Sequence, residues 1–267
     1  MNGHVHNPLS LSLHKLHTKF EPVSLVALCQ CAGNSRSFFD PRVPGGQWGN
    51  GAIGNARWKG VRLMDVLDAA GVKLGALQVG FRGLDTAPLP QMPRYEKSLP
   101  IDRSRDGEVL IAYEMNDAPL PMLNGFPVRL VVPGWYSTYW VKSLSSIVVF
   151  DQPLKSFFMD TAYRIPDNSG AEETPQQLSK VTVPLTRMSV HSIFVKPSPN
   201  EQLPAGQSYT LQGVANDGGS GTAKLKFRRM MEKPGAMRRS VPILASTRGG
   251  CGSCRGRRRQ KAATGCK

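Results

Sequence analysis

The sequence lacks the patterns that mark a membrane span, a secretory leader or a bound haem. It has no run of 18 or more apolar residues, which excludes a membrane-spanning helix. Residues 1–6 do not form the charged and apolar regions of a secretory signal. Without a Cys-x-x-Cys-His motif, the chain has no attachment site for a c-type haem. No Gly-x-Gly-x-x-Gly stands at the end of a predicted strand, which argues against a nicotinamide cofactor.

Acidic residues are scarce, with 19 Asp and Glu against 34 Lys and Arg, and the formal net charge is +15. The excess is uneven, because residues 224–267 contain 14 basic residues and the single acid Glu232. Residues 1–223 contain 20 basic and 18 acidic residues and are nearly neutral. The excess positive charge is therefore concentrated in residues 224–267. It does not predict a uniformly basic surface that binds nucleic acid.

The stretch from Leu25 to Arg36 is the strongest candidate for chemistry. It is an apolar run of strand length that carries two cysteines near its end and breaks at Gly33, so it brings a thiol to a strand-to-loop junction. Cys31 lies nearer the loop and nearer Arg36, and a cation favours the thiolate that binds metals. For Cys29, two residues earlier on the same strand face, we keep the ordinary interpretation of a small buried hydrophobe.

Short strands dominate the rest of the main body. Period-two and apolar patterns predict strands over residues 77–81, 108–113, 127–132, 140–142 and 147–150. A short strand and a helical turn are predicted within residues 7–16, and an amphipathic helix over 61–71 with Gly71 at its end. So few helices among so many strands favour an α+β fold with a mixed or antiparallel sheet over a doubly wound one.

Several motifs that begin at Cys31 occur in a characteristic order. They start with Cys-Ala-Gly-Asn-Ser-Arg and occupy residues 31–36, 47–48, 51–63, 120–129, 131–134, 140–142 and 162–166. This series closely resembles the molybdenum-cofactor domain of the sulfite oxidase family, and within it the bacterial sulfite dehydrogenases that reduce a c-type cytochrome. The resemblance covers roughly residues 1–223.

The resemblance implies an enzyme with a molybdenum–molybdopterin cofactor that oxidises sulfite to sulfate by oxygen-atom transfer. It implies that the electrons pass to a separate c-type cytochrome and that the protein is periplasmic. A related alternative is a sulfane dehydrogenase of the sulfur-oxidation system. A further alternative is a non-catalytic remnant of such an enzyme whose basic arm binds nucleic acid.

The resemblance also assigns roles to individual residues. Cys31 is the metal ligand, while Arg36 and Tyr163 are catalytic, Arg36 by holding sulfite and Tyr163 by hydrogen-bonding an oxygen atom. The residues implied to bind the cofactor are Asp85, Asn124, Arg129, Trp140, Val141 and Lys142. Trp48 and Trp58 are suited to wall a flat ligand, although a place in the core is the ordinary alternative, especially for Trp58.

Three regions follow from these patterns. Residues 1–166 are expected to form the molybdopterin domain, shortened at its start because the family has an arginine and a histidine upstream of this region. Residues 167–227 follow a polar linker and are expected to form part of an immunoglobulin-like sandwich, which family members use for dimerisation. The alternating patterns over 190–197, 207–215 and 222–227 predict only about three of its roughly seven strands.

Residues 228–267 depart from every pattern before them. They have neither apolar periodicity nor the aromatic residues of closing strands, so we expect a disordered basic tail and propose an out-of-frame translation. The rival hypothesis is a functional arm for nucleic acid. Cys251 and Cys254 form a lone Cys-x-x-Cys, which is weak support for zinc.

Overall fold

A computed structural model describes residues 1–40, 42–174, 176–198, 201–203 and 209–219. The chain divides into two compact units, Met1–Met188 and Ser189–Lys267. Within the described ranges, no helix is both long enough and apolar enough to cross a bilayer.

The first unit contains all four α-helices and eleven of the strands found in the described ranges. The helices are α1 (Leu13–Lys19), α2 (Leu63–Ala70), α3 (Ile101–Ser104) and α4 (Phe157–Asp160). The strands are β1 (Asn2–Gly3), β2 (Pro22–Gln30), β3 (Ile53–Arg62), β4 (Gln78–Gly83), β5 (Glu96–Pro100), β6 (Leu110–Met115), β7 (Ala118–Pro119), β8 (Arg129–Val131), β9 (Leu144–Phe150), β10 (Arg164–Pro166) and β11 (Thr182–Pro184). Short 3-10 turns lie at Arg36–Phe38, Met122–Asn124 and Ser137–Tyr139.

Two sheets form the body of this unit. The five-stranded sheet has the order β2-β3-β6-β7, with β8 also paired to β6, and all of its pairs are antiparallel. The four-stranded sheet has the order β1-β9-β4-β5, in which β1 runs parallel to β9 and the other pairs are antiparallel. The predicted α+β fold with a mixed sheet is confirmed.

The longest pairing joins β2 and β3. These strands face each other in nine consecutive residue pairs, from Pro22 opposite Val61 to Gln30 opposite Ile53. β2 ends one residue before Cys31, so the predicted strand-to-loop junction is confirmed. Trp58 of β3 is only 3% exposed, and its Nε1 donates to the Ala27 carbonyl of β2 at 3.2 Å. Trp58 is therefore a core residue.

Helix α2 packs through one apolar face. Its buried residues, Leu63, Val66, Leu67 and Ala70, recur at the spacing of a single helical face. The helix ends at Gly71, which has a positive φ of 64° and donates its N–H to the Asp68 carbonyl. Glycine adopts this left-handed conformation without steric cost, so the predicted helix and its stop signal are both confirmed.

Three strand assignments differ from the prediction. Residues 140–142 follow the 3-10 turn Ser137–Tyr139 and form no strand. The strand at the start of the chain is Asn2–Gly3 and not a segment within residues 7–12. Strand β5 was missed because Glu96, Lys97 and Ser98 are polar but buried, and their partners are supplied by other parts of the fold.

The first unit also extends past the predicted limit at residue 166. β10 pairs with β11 in an antiparallel ladder, with Ile165 opposite Val183, so the polar segment between them connects two paired strands. The Tyr136 N–H donates to the Thr186 carbonyl at 3.0 Å, which attaches the segment after β11 to the same unit. The compact unit therefore reaches Met188.

In the second unit, the described residues contain the strands β12 (His191–Lys196) and β13 (Gln212–Asn216), which pair antiparallel. They correspond to two of the three predicted strands. The third, over 222–227, and the tail over 228–267 lie outside the described residues. The immunoglobulin-like sandwich and its dimerisation stay predictions.

Gly60 tests how tightly β3 packs against β6. A Cβ at this position would lie 2.2 Å from the Ile111 carbonyl oxygen and 2.6 Å from the Ala112 Cα, so the strands would have to separate. We expect Gly60→Ala to lower the free energy of unfolding by roughly 1–3 kcal/mol in chemical denaturation.

Gly54 provides the matched control on the same strand. A Cβ added there would have no atom within 4 Å, so Gly54→Ala is expected to change the free energy of unfolding by less than about 0.5 kcal/mol. Equal stability of the two variants would contradict the close packing at Gly60.

Candidate active site

The loop after β2 holds Cys31 at the edge of the five-stranded sheet. The Cys31 N–H donates to the Ala52 carbonyl at 2.9 Å, which extends the pairing of β2 and β3 by one step. The Gly33 N–H points back at the Cys31 sulfur, with a nitrogen-to-sulfur distance of 3.4 Å. The loop therefore directs a backbone donor at the sulfur.

Side chains of this loop bind it to the segment that enters β3. Asn34 Oδ1 accepts the Ala52 N–H at 3.0 Å, and Ser35 Oγ donates to Asn50 Oδ1 at 2.6 Å. The Ser35 N–H donates to the Gly49 carbonyl at 3.0 Å, with Ser35 in the left-handed region at a φ of 67°. The loop that carries Cys31 is therefore held in one conformation by its partner segment.

A pocket of about 390 Å³ opens beside the sulfur. Its volume lies within the range of small-molecule sites in proteins. The residues that line it are Cys29, Cys31, Trp48, Gly49, Gly51, Ala52, Ile53 and Ser137. Trp48 and Trp58 are the two tryptophans considered as walls for a ligand. Of these, Trp48 lines the pocket and is 57% exposed. Neither Arg36 nor Tyr163 is one of the described residues that line this pocket.

Cys29 shares this pocket with Cys31, as expected for residues two apart on a strand. Burial raises the pKa of the Cys29 thiol, while the Arg129 guanidinium and a hydrogen bond with Ser137 act in the opposite direction. Because burial is the larger effect, Cys29 stays protonated at neutral pH. Cys29 is therefore a half-buried thiol that lines the pocket and interacts with Arg129.

Arg129 lies inside the protein and is only 6% exposed. Its guanidinium donates to the carbonyls of Asn124 at 3.0 Å and Trp140 at 3.2 Å. It also lies 4.9 Å from the ring centroid of Trp58, a cation–π distance. Burial lowers its pKa, and its Nε has no hydrogen-bond partner among the described residues. A buried, incompletely paired cation is suited to receive an anion.

Four of the predicted cofactor residues converge on two glycines. A Cβ on Gly125 would lie 3.0 Å from the Lys142 Cβ and 3.1 Å from the Arg129 Cβ. A Cβ on Gly83 would lie 2.2 Å from Asp85 Oδ1 and 2.6 Å from the Lys142 carbonyl oxygen. Asn124 immediately precedes Gly125 and accepts the bond from Arg129. The structure thus brings Asp85, Asn124, Arg129 and Lys142 together.

The other two predicted cofactor residues are core side chains. Trp140 and Val141 are 2% and 3% exposed, so they offer a ligand only their backbone. That backbone is already engaged, because the Trp140 carbonyl accepts from Arg129 and the Val141 carbonyl accepts the Leu130 N–H at 2.8 Å. Their role in this structure is to hold Arg129 and β8 in place.

Arg36 and Tyr163 lie on separate elements. The Arg36 guanidinium donates to the Gly46 carbonyl at 3.1 Å and packs against Gly33 and Gly45, within the glycine-rich loop that leads to Trp48. Tyr163 follows α4, is 38% exposed and has a positive φ of 57°. Their catalytic roles stay predictions.

Buried polar residues around Tyr163 were missed by the sequence reasoning. Lys97 is fully buried on β5, and its Nζ lies 5.4 Å from the Tyr163 ring centroid and 4.4 Å from that of Tyr139. Tyr95 contacts Thr138, with its hydroxyl 2.5 Å from the Thr138 carbonyl oxygen. No motif marks these residues, because isolated lysines and tyrosines in a strand are ordinarily exposed or structural.

Fold and site together define a molybdopterin-binding oxidoreductase domain. The family model described as the oxidoreductase molybdopterin binding domain matches residues 1–158. Human mitochondrial sulfite oxidase is 39% identical over 217 residues, which cover 79% of this chain and 39% of that protein. The chain belongs to the sulfite oxidase family.

Two more relatives show the breadth of this family. Barley nitrate reductase [NAD(P)H] is 32% identical over 236 residues, covering 82% of this chain and 26% of that protein. The crystal structure of the sulfane dehydrogenase SoxCD from Paracoccus pantotrophus matches with a TM-score of 0.67 and 26% identity, covering 81% of this chain and 52% of that chain. The chain spans about two fifths of the length of the human sulfite oxidase it matches.

The residues present fit a molybdenum–molybdopterin group. The site offers a half-buried thiol for the metal and an unpartnered Asn34 Nδ2, which is a buried donor directed at no other described residue. Gly83 and Gly125, which have no Cβ, let Asp85, Arg129 and Lys142 pack close to the backbone, so a carboxylate and two cations lie in one region. Carboxylates accept hydrogen bonds from a pterin, and cations bind a phosphate.

The buried amine of Lys97 predicts a pH-dependent stability. Burial lowers the pKa of Lys97 to about 8, while an unfolded lysine titrates at about 10.4. Between these values the unfolded state binds more protons, so stability rises with pH. Relative to Lys97→Met, the wild type is expected to gain about 2 kcal/mol of unfolding free energy from about pH 8 to about pH 10. Urea denaturation across this range measures the difference, and a constant difference would overturn the assignment.

Proposed function

We propose that this protein oxidises sulfite to sulfate at a molybdenum–molybdopterin centre. One observation carries the proposal: Cys31, at the end of β2 in a member of the sulfite oxidase family, lines a pocket suited to a ligand. Sulfite and water yield sulfate, two protons and two electrons. When bound, the cofactor supplies the oxygen atom and accepts the two electrons.

Cys31 is the residue that holds the metal. A thiolate is a strong soft donor, and the Gly33 N–H, 3.4 Å from the sulfur, is placed to donate to a metal-bound thiolate. The hydrogen bonds from the Ala52 segment fix the position of the sulfur, so little conformational freedom is lost on binding. Cys29 is less suited as a ligand because burial raises its pKa and it stays protonated.

Arg129 and Lys142 are suited to the phosphate of the cofactor, and Asp85 to its pterin ring. The guanidinium of Arg129 is held by two carbonyls and two tryptophan rings, so its unpartnered Nε–H is available without a large loss of side-chain entropy. Lys142 is more exposed, and its bond to the Leu123 carbonyl at 3.1 Å is exchangeable for a phosphate oxygen. Both side chains border Gly125, whose lack of a Cβ lets them lie close together.

Arg36 and Tyr163 are suited to the substrate. Sulfite is a small dianion, and a guanidinium presents several donors to such an oxyanion. A single hydrogen bond to Gly46 leaves most donors of Arg36 available in the described structure. Tyr163, partly exposed at the end of α4, offers a hydroxyl donor for an oxygen atom of the substrate.

The structural likeness to a sulfane dehydrogenase supports a second candidate, a protein-bound sulfane as substrate. Reduction of a c-type cytochrome by purified protein separates the two, with free sulfite as one substrate and a sulfane-carrying protein as the other. We expect sulfite to support turnover, and activity only with the carrier-bound sulfane would favour the second candidate. A separate cytochrome acceptor and a periplasmic location belong to the same proposal.

Removal of the proposed ligand tests the proposal at its base. We expect Cys31→Ser, made in cells that supply molybdopterin, to retain less than about a tenth of the wild-type molybdenum, because a hydroxyl is a poor soft donor. Cys29→Ser is the matched control from the same pocket wall, and it is expected to keep most of the metal. Metal analysis of the purified proteins is the measurement. Equal molybdenum in Cys31→Ser and the wild type would overturn the proposal.

Gly125 tests the phosphate end of the site. Gly125→Ala places a methyl group between Arg129 and Lys142, so we expect the purified protein to lose at least half of its bound pterin, measured by fluorescence after release. Gly75 is the matched control: its φ of 86° is also positive, but no atom lies within 4 Å of an added Cβ. Both variants carry backbone strain, and only Gly125→Ala intrudes on the cations. Equal pterin loss in both would assign the effect to strain.

A further inference from the structure

Lys97 is a buried amine that the proposed reaction does not use. It is 0% exposed in the middle of the edge strand β5, and its Nζ donates to the Phe158 carbonyl of α4 at 2.7 Å. Among the described residues, no carboxylate forms an ion pair with it. Its neighbour Glu96 pairs instead with Arg82 at 2.7 Å. A buried lysine without a carboxylate is costly, which calls for a reason in the structure.

Two tyrosine rings provide the other contacts of this amine. Nζ lies 4.4 Å from the Tyr139 ring centroid and 5.4 Å from the Tyr163 ring centroid, both within cation–π distance. The Phe158 ring also packs against Tyr163, with centroids 6.4 Å apart. The same amine therefore contacts both the helix that precedes Tyr163 and the ring of Tyr163.

The backbone conformation of Tyr163 needs restraint from neighbouring segments, and the contacts of Lys97 provide part of it. Its φ of 57° is unusual for a bulky residue and persists only where the surroundings impose it. β10 begins at the next residue and is tied to β11, so the backbone is restrained on the C-terminal side. On the N-terminal side, the bond from Lys97 to Phe158 restrains α4.

We propose that Lys97 is a positioning residue for Tyr163, because its charged amine holds α4 through the Phe158 carbonyl and attracts the face of the tyrosine ring. This inference rests on the proposed function, since Tyr163 acts on the substrate only if that proposal holds. Lys97 itself is not among the described residues that line the pocket at Cys31.

Because the proposed contact requires a charged amine on Lys97, the position of Tyr163 is expected to depend on pH. Burial, and next the charge of Arg164, lower the pKa of Lys97 to about 8. The groups that face it are Tyr139 from the 3-10 turn, Tyr163 after α4 and Arg164 on β10, with Tyr95 beside the rings. Burial raises the pKa of Tyr139 to about 12 and raises that of Tyr95, so these two phenols stay neutral as Lys97 loses its proton.

Nuclear magnetic resonance of protein labelled with carbon-13 on its tyrosine rings tests the coupling without a substrate. The signal that disappears in Tyr163→Phe identifies Tyr163. In the wild type we expect this signal to shift with a midpoint at about pH 8, and in Lys97→Met we expect that transition to be absent. A Tyr163 signal that does not respond near this pH, or responds equally in Lys97→Met, would overturn the proposal.

Lys15→Met is the matched control, because Lys15 also donates to a backbone carbonyl, that of Ser10 at 3.1 Å, but is exposed on α1. This variant is expected to show the wild-type transition at Tyr163. Its loss in Lys15→Met would also count against Lys97 as the source.

Steady-state kinetics of the cofactor-loaded enzyme test whether Lys97 affects catalysis. Lys97→Met is expected to raise KM for sulfite roughly threefold to tenfold, which corresponds to the loss of one cation–π contact. In the wild type, kcat/KM is expected to fall as pH rises through about 8, and this limb is expected to vanish in the variant. An unchanged KM and pH profile would contradict the positioning role. If the loaded wild type does not oxidise sulfite, the proposed function fails, while the resonance experiment still tests the contact.

Discussion

The pairing of β2 with β3 is the interaction on which the site depends. Nine residue pairs in unbroken antiparallel register bring the end of one strand beside the beginning of the other. The loop that carries Cys31 and the glycine-rich segment before β3 are therefore adjacent, and backbone and side-chain hydrogen bonds join them. A shift of one residue would turn the thiols to the opposite face of the sheet and separate them from the pocket.

A second constraint is the burial of Arg129. Arg129 is held by carbonyls and tryptophan rings in the core, and Gly125 lets Lys142 pack close beside it. A cation that is already desolvated and oriented binds an anion with less reorganisation than a flexible surface lysine does. The aromatic core and the proposed cofactor site therefore share residues, and changes in one are expected to affect the other.

Strand β5 is unusual because most of its buried residues are polar. It buries three consecutive polar residues, and each finds a partner in another element: Glu96 in Arg82, Lys97 in the Phe158 carbonyl and Ser98 in Gln78. The partners of Glu96 and Ser98 lie on the neighbouring strand β4, whereas the partner of Lys97 lies on α4. That longer-range contact couples the sheet to the segment that carries Tyr163.

The sequence alone was sufficient for the features that depend on local order. The motif at Cys31, the strand-to-loop junction, helix α2 with its stop at Gly71 and the mixed α+β class all follow from periodicity, turn residues and resemblance, because neighbours in the chain determine them. Only the tertiary structure could show that Ser137 lines the pocket beside the two cysteines, that Arg129 is a core residue and that Lys97 lies under Tyr163. These facts depend on which distant segments pack together, and burial of a polar side chain has no local signature when its partner lies tens of residues away in the chain.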